Sequence, residues 1–284
     1  MRTATRILVL ALAGVALVLV GCGDNGEQET EGVGTDGYED DVYFAQAGFS
    51  EDSGWKDVVV FEVEDGEITT VEWNAAHEQN GRPKDIRSRQ GDYGMVENSN
   101  ATLHWYEQAE AVEEWLLENQ NINELELNDE GRPDAISRAT IRVSGFTSLV
   151  QEALDTGPVG YGMWEDGTYS AEEEEFSDNG WKATVALTVI GGRIVAVEWD
   201  SFNEDEEFKS DLSREGEYGM VENSDAMAPW HEQANAAERW LIENQDPSEL
   251  PVNDEGVSDA ISGASITVTG FKSLAEQALE GHER

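Results

Sequence analysis

The chain has 284 residues, 61 of them acidic and 17 basic, for a formal charge of -44. Binding to nucleic acid or to an anionic membrane surface needs basic patches, and this composition excludes both. Such an acidic surface fits a salty habitat, where the screening length falls to about 3 Å at 1 M salt. The five lysines against twelve arginines fit the same halophilic reading.

Arg2 and Arg6 form a short positive segment, and Ile7 to Val20 is an uncharged apolar run. That run is short for a membrane span, which takes about 20 apolar residues, and it reads as the core of an export signal over residues 1–21. It ends Leu19-Val20-Gly21-Cys22, which resembles a bacterial lipobox. Cys22 is the single cysteine, so it offers neither an internal disulfide nor a multi-thiolate metal site. The resemblance implies that it is acylated and becomes the first mature residue, attached to the lipid bilayer. Loss of Arg2 and Arg6 with the signal leaves 61 acidic against 15 basic residues, or -46. Residues 22–36 are polar apart from Val33 and read as a flexible tether.

The rest of the chain is a duplication. Gly54-Trp55-Lys56 recurs as Gly180-Trp181-Lys182, an offset of 180 − 54 = 126. Tyr93-Gly94-Met95-Val96-Glu97-Asn98-Ser99 recurs from Tyr218, and Asp134-Ala135-Ile136-Ser137 from Asp259, both at 125. A period this long is a repeated domain, not a solenoid. The expected organisation is domain 1 over 37–156, a linker over 157–166 and domain 2 over 167–284.

Each copy opens with an irregular strand, at Val42 to Ala47 and Gly167 to Glu174. A hairpin follows: Val58 to Glu64 and Ile68 to Trp73 around Asp65-Gly66, then Ala183 to Ile190 and Ile194 to Trp199 around Gly191-Gly192. A charged loop comes next. Trp105, Ala109, Val112 and Leu116 then mark a helix, matched by Met227, Trp230, Ala234, Ala237 and Leu241. Each copy closes with a short strand-like stretch and a last helix carrying Phe146, Leu149, Val150, Ala153 and Leu154, or Phe271, Leu274, Ala275, Ala278 and Leu279. Strands first and helices after give an α+β fold in two tandem copies, each an antiparallel sheet packed with helices.

The sequence has no phosphate-binding loop, nucleophile elbow or histidine-rich metal motif. His77, His104, His231 and His282 do not recur between copies and read as surface or packing residues. Glu172 to Glu175 lacks the spacing of a calcium loop and reads as a solvated face. The pairs Trp55/Trp181, Trp73/Trp199, Trp105/Trp230 and Trp115/Trp240 read mostly as core, with stacking on an aromatic cofactor an open alternative for one pair.

The stretch Asp134-Ala135-Ile136-Ser137-Arg138-Ala139-Thr140 and its twin Asp259-Ala260-Ile261-Ser262-Gly263-Ala264-Ser265 resemble a motif, Asp-x-x-Ser/Thr-Gly-Ala-Thr/Ser, of the FMN-binding domain family. That family occurs in exported electron-transfer flavoproteins and in subunits of the Rnf and Nqr complexes. The resemblance extends to the Asp36-Gly37-Tyr38 start, the Gly-Trp-Lys strand, the Gly-x-Ile-x-x-Val hairpin and the helix ending Glu-Asn-Gln. It implies FMN held covalently through a phosphoester, transferred from FAD by a separate magnesium-dependent flavin transferase. The implied acceptors are Thr140 and Ser265. The implied recognition residues are Asp134, Ser137 and Ala139 in the first copy, and Asp259, Ser262, Gly263 and Ala264 in the second.

Both copies depart from the motif. Arg138 stands where the family has glycine, either obstructing the transferase or pairing with the phosphate, and Ser265 replaces the usual threonine. The implied role is a lipid-anchored carrier on the extracytoplasmic face. It relays electrons from a membrane donor to an extracellular or periplasmic acceptor and needs no catalytic side chain of its own. The competing reading is a non-redox surface lipoprotein, a ligand-binding or adhesive module that kept the fold and lost the flavin.

Overall fold

The computed structural model describes residues 37–284 except Asn80, Asp225 and Met227. The signal sequence 1–21, the tether 22–36 with Cys22, and the Met227 position of the second apolar stripe lie outside the described residues. Strands β1 (Asp41–Gln46), β2 (Trp55–Glu64) and β3 (Glu67–His77) form an antiparallel sheet in the order β1-β2-β3. The second copy repeats it with β4 (Gly167–Glu172), β5 (Lys182–Ile190) and β6 (Arg193–Phe202). Both hairpins turn on two left-handed residues, Asp65-Gly66 at φ 54° and 78° and Gly191-Gly192 at 62° and 75°. That geometry matches the twist of the flanking strands and favours glycine. Both hairpins also shift register at matching places, Glu62/Val63 and Thr188/Val189.

Strand periodicity sends Val59, Phe61 and Val63 to one face of the first sheet. There they meet α3 (Trp105–Asn119) and α4 (Ser144–Thr156). Trp73 is the centre of this core, 5.4 Å from Trp105 and 5.2 Å from Phe146 between ring centroids. In the second copy α7 (Trp230–Asn244) and α8 (Thr269–Leu279) do the same, with Trp199 5.6 Å from Trp230 and 5.0 Å from Phe271. The Glu-Asn-Gln helix ends have a physical meaning. Gln120 and Gln245 cap α3 and α7 in left-handed backbone conformation. Their side-chain amides both accept from and donate to the backbone of Ile68 and Ile194, at 2.7 and 3.0 Å and at 2.7 and 2.9 Å. Each helix end is thereby fixed to an edge strand.

The other faces of the two sheets pack together. Val42, Val58, Val60 and Ala76 meet Ile190, Val195 and Ala196. These are not equivalent positions: Val42 and Val58 correspond to Thr168 and Thr184, and Ile190 corresponds to Glu64. Arg193 stacks 4.9 Å over Phe44 and donates to the carbonyls of Gly160 and Val159 at 2.9 and 3.1 Å. The segment 157–166 also contributes Trp164 to the second core, its indole donating to the Gln245 carbonyl at 2.8 Å.

Two local expectations are corrected. The charged loop contains two short helices per copy, α1 (Lys84–Arg89) and α2 (Met95–Asn98), then α5 (Lys209–Glu215) and α6 (Met220–Asn223). The strand-like stretch before each last helix is not a strand. Its buried valines bond to tight loops, Val143 N to the Gly131 carbonyl at 2.8 Å and Val268 N to the Gly256 carbonyl at 2.7 Å. Among the described residues no helix is long and apolar enough to cross a membrane.

The carboxylates crowd the surface with few cations between them, so folding brings like charges together. Thermal melts over a sodium chloride series should show a melting temperature that rises with salt, most steeply below about 1 M where screening changes fastest. A flat or falling curve would contradict the halophilic reading.

Candidate functional site

The motif of each copy forms an irregular loop lying across the long helix. Ile136 and Ile261 are buried and anchor it. The backbone folds back so that Ala139 N donates to the Ile136 carbonyl at 2.9 Å and Ala264 N to the Ile261 carbonyl at 3.2 Å. This tight return leaves Ser137, Arg138, Ser262 and Gly263 exposed at its outer edge and buries Ala139, while Ala264 is half-buried. Gly263 has φ +85°, a conformation costly for any side chain with a Cβ. Arg138 is not in that region, so the two loops differ in backbone as well as in side chain.

Thr140 and Ser265 are exposed, and a buried glutamine holds each in place. The Gln108 Oε1, on α3, accepts from Thr140 N at 2.8 Å, Thr140 Oγ1 at 3.0 Å and Ile141 N at 3.2 Å. The Gln233 Oε1, on α7, accepts from Ser265 N at 2.7 Å and Ser265 Oγ at 3.2 Å. Each amide nitrogen donates to a backbone carbonyl, Leu103 at 3.0 Å or Ala228 at 2.8 Å. Both glutamines are 1% exposed. A buried amide satisfied on both ends is a rigid support. It uses the hydroxyl proton and leaves the oxygen lone pairs free on an exposed side chain. Asp134 is exposed and accepts from Asn128 Nδ2 at 3.2 Å, and Asp259 is exposed. Neither acid touches the hydroxyl of its own copy.

Sequence reasoning missed these glutamines, although Glu107-Gln108-Ala109 recurs intact as Glu232-Gln233-Ala234. It also missed two caged lysines. The Lys84 ammonium lies 5.0, 5.2 and 5.1 Å from the rings of Trp55, Tyr93 and Trp105. Lys209 repeats this at 4.6, 5.7 and 5.2 Å from Trp181, Tyr218 and Trp230. Burial lowers the pKa of both, Lys209 to about 8, against nearby carboxylates that raise it. Three ring faces partly replace the lost hydration. Three tryptophan pairs are therefore occupied, Trp73, Trp105, Trp199 and Trp230 in the cores and Trp55 and Trp181 in the cages, and the fourth pair, Trp115 and Trp240, packs half-buried against the same cores. The histidines pack locally: His104 caps α3, and His231 Nδ1 lies 2.8 Å from Ser213 Oγ.

Beside the second loop a cleft of 290 Å³ opens between Ser262-Gly263 and the α7 residues Glu232, Asn235 and Arg239. A larger cleft of 590 Å³ continues past Asn235 and Arg239 to Trp199 and Glu238.

Residues 180–280 match the family model described as "FMN-binding domain". The second copy thus carries a match to the FMN-binding domain family. A relative, the 15 kDa lipoprotein of Treponema pallidum (strain Nichols), is 27% identical over 136 residues, covering 46% of this chain and 86% of the relative. A solution NMR structure from Clostridium thermocellum is 46% identical over 42% of this chain and 97% of its own, with a TM-score of 0.33. A crystal structure of a Clostridium perfringens protein is 27% identical over 42% of this chain and 89% of its own, with a TM-score of 0.35.

One half-buried acid per copy is bonded to the third strand of its sheet. Glu113 accepts from Trp73 N at 2.6 Å and Glu238 from Trp199 N at 2.7 Å. Burial, reinforced by neighbouring carboxylates, raises them to about 7 and about 8. Their folded pKa lies above the ordinary value of 4.5, so their stabilisation is complete below about pH 4.5 and is lost as pH rises through 7 to 8. Glu238→Gln keeps the acceptor and removes the titration. Its stability relative to the natural chain should rise between pH 5 and 8 by on the order of 1–3 kcal/mol, read from denaturant melts at each pH. A gap that does not change with pH would contradict the assignment.

Proposed function

We propose that the chain is a lipid-anchored electron carrier on the extracytoplasmic face, with FMN joined through a phosphoester to the hydroxyl of one or both motif loops. The observation that carries this reading is the pair Thr140 and Ser265: exposed hydroxyls at matching places, each fixed from below by a buried glutamine. A phosphoester needs an accessible hydroxyl, and a freely rotating one would sample many orientations unsuited to transfer. The match of residues 180–280 to the FMN-binding domain model supports the choice of flavin. A bound FMN would supply the electron chemistry, and the chain's own residues would position it and tune its surroundings. A covalent link also suits an exported carrier, because a tethered group stays at high effective concentration.

The anchor reading is supported by Leu19-Val20-Gly21-Cys22 and by the name of the Treponema relative, a lipoprotein. The partners follow from the chemistry: a flavin transferase for maturation, a membrane donor of electrons and an extracellular or periplasmic acceptor. Lying close to the membrane through Cys22 favours encounter with a membrane donor, while the acidic surface favours cationic acceptors.

The test is a preparation from cells that also produce a matching flavin transferase. The protein should be yellow, keep its colour through denaturation and gel filtration, and show an FMN-sized mass addition that is lost from the Thr140→Ala/Ser265→Ala variant. In the same cells Cys22→Ala should leave the membrane fraction or persist as precursor. A colourless mature protein would end the carrier reading. Membrane retention of a cleaved Cys22→Ala protein would end the anchor reading alone.

A further inference from the structure

The two acceptor loops face helix walls of opposite character. In the second copy the loop position beside the cleft is Gly263, with no side chain to cross the opening. The wall carries Arg239, which is exposed and makes no ion pair within 4 Å among the described residues. In the first copy the same two positions are exchanged: the cation is on the loop, as Arg138, and the wall carries Glu114. Arg138 donates to Glu114 at 3.4 Å, from loop to helix. One turn earlier on the helix, where the second copy has Asn235, Glu110 is bound by Arg89 at 2.8 Å.

The consequence is electrostatic. The donor in flavin transfer is a pyrophosphate and the product is a phosphodiester, both anionic. A chain at -44 repels anions unless an unpaired cation waits at the site. Arginine is the residue whose planar fork best matches a phosphate. The second copy offers such a cation. In the first copy the closed pair spends its cation on Glu114, and opening the pair exposes Glu114 to the incoming phosphate. Exposed pairs of this kind hold weakly, so both states occur, and both disfavour transfer.

We propose that the second copy alone carries the flavin, with Arg239 as the positioning residue that holds the phosphate of the incoming flavin nucleotide beside Ser265. This rests on the covalent-flavin reading above. In the step, Ser265 Oγ bonds to the flavin-side phosphorus of FAD and the pyrophosphate bridge breaks. AMP leaves with the bridging oxygen, and the hydroxyl proton passes to a base of the transferase. No electron changes hands. The first copy then serves as a scaffold whose Val42–Val60 face holds the second sheet.

The experiment uses the full chain co-produced with a magnesium-dependent flavin transferase, read by intact mass and peptide mapping. The natural chain should carry one addition, on the peptide containing Ser265. Arg239→Glu should lower the loaded fraction at limiting transferase by roughly tenfold, the scale of one charge-assisted hydrogen bond. Its melting temperature should stay unchanged, and Arg239→Lys should recover most of the loading. Glu114→Arg/Arg138→Gly rebuilds the second wall in the first copy and should create a second addition, on Thr140. An addition on Thr140 in the natural chain, or full loading of Arg239→Glu, would overturn the assignment while leaving the covalent reading intact. No addition on either copy would overturn both.

Discussion

The buried carbonyl oxygens of Gln108 and Gln233 are the constraint on which the rest of the site depends. The motif loops have no ladder to join, and their backbone donors would otherwise stay unpaired against a helix. In the first copy one amide oxygen collects two backbone donors and a hydroxyl donor, and in the second it collects one of each. Removing a partner from such a network costs about 1–3 kcal/mol for each buried group left unsatisfied. The glutamines can act only because their helices are fixed in turn. The Trp73 and Trp199 clusters set helix depth, and the Gln120 and Gln245 amides set each helix end against an edge strand. Sheet, helix and hydroxyl are thus connected through three glutamine- or tryptophan-centred contacts, duplicated in both copies.

Duplication explains why the copies could diverge. The sheets pack through the faces turned away from their helices but through non-equivalent residues, apolar Val42, Val58 and Val60 in the first copy and Ile190, Val195 and Ala196 in the second. At the matching positions the second copy has Thr168, Thr184 and Ala186 in place of Val42, Val58 and Val60, and the first copy has Glu64 in place of Ile190. If the first copy serves as support for the second, as proposed, its motif loop is free to change. The exchange of Arg138 and Glu114 for Gly263 and Arg239 is a change of that kind.

Much of the architecture was legible because periodicity reports burial. The hairpins followed from β-branched alternation around Asp65-Gly66 and Gly191-Gly192, and the long helices from apolar spacing at Trp105, Ala109, Val112 and Leu116. The short helices α1 and α5 were not legible, since six or seven residues in charged sequence are too few to show a stripe. The stretch through Val143 read as a strand because burial alone was visible, whereas its hydrogen-bond partner is the Gly131 loop and not a sheet strand. The proposed acceptors, Thr140 and Ser265, came from a family motif, not from spacing. Gln108 and Gln233 escaped because a polar residue inside an apolar stripe reads as solvent-facing. Lys84 and Lys209 escaped because their three ring partners come from separate elements. What could have found all four is the repeat itself, which keeps each of them at its matching position.

The glutamine support can be tested without knowing donor or acceptor. Gln233→Leu preserves the helix and most of the side-chain volume but removes the amide. Peptide mapping of the flavin addition, alongside a melt that establishes folding, is the direct measurement. A folded Gln233→Leu protein should lose most of the addition on Ser265 and show faster amide exchange at Ser265. A folded variant that carries the flavin in full, with Ser265 exchange unchanged, would contradict the account.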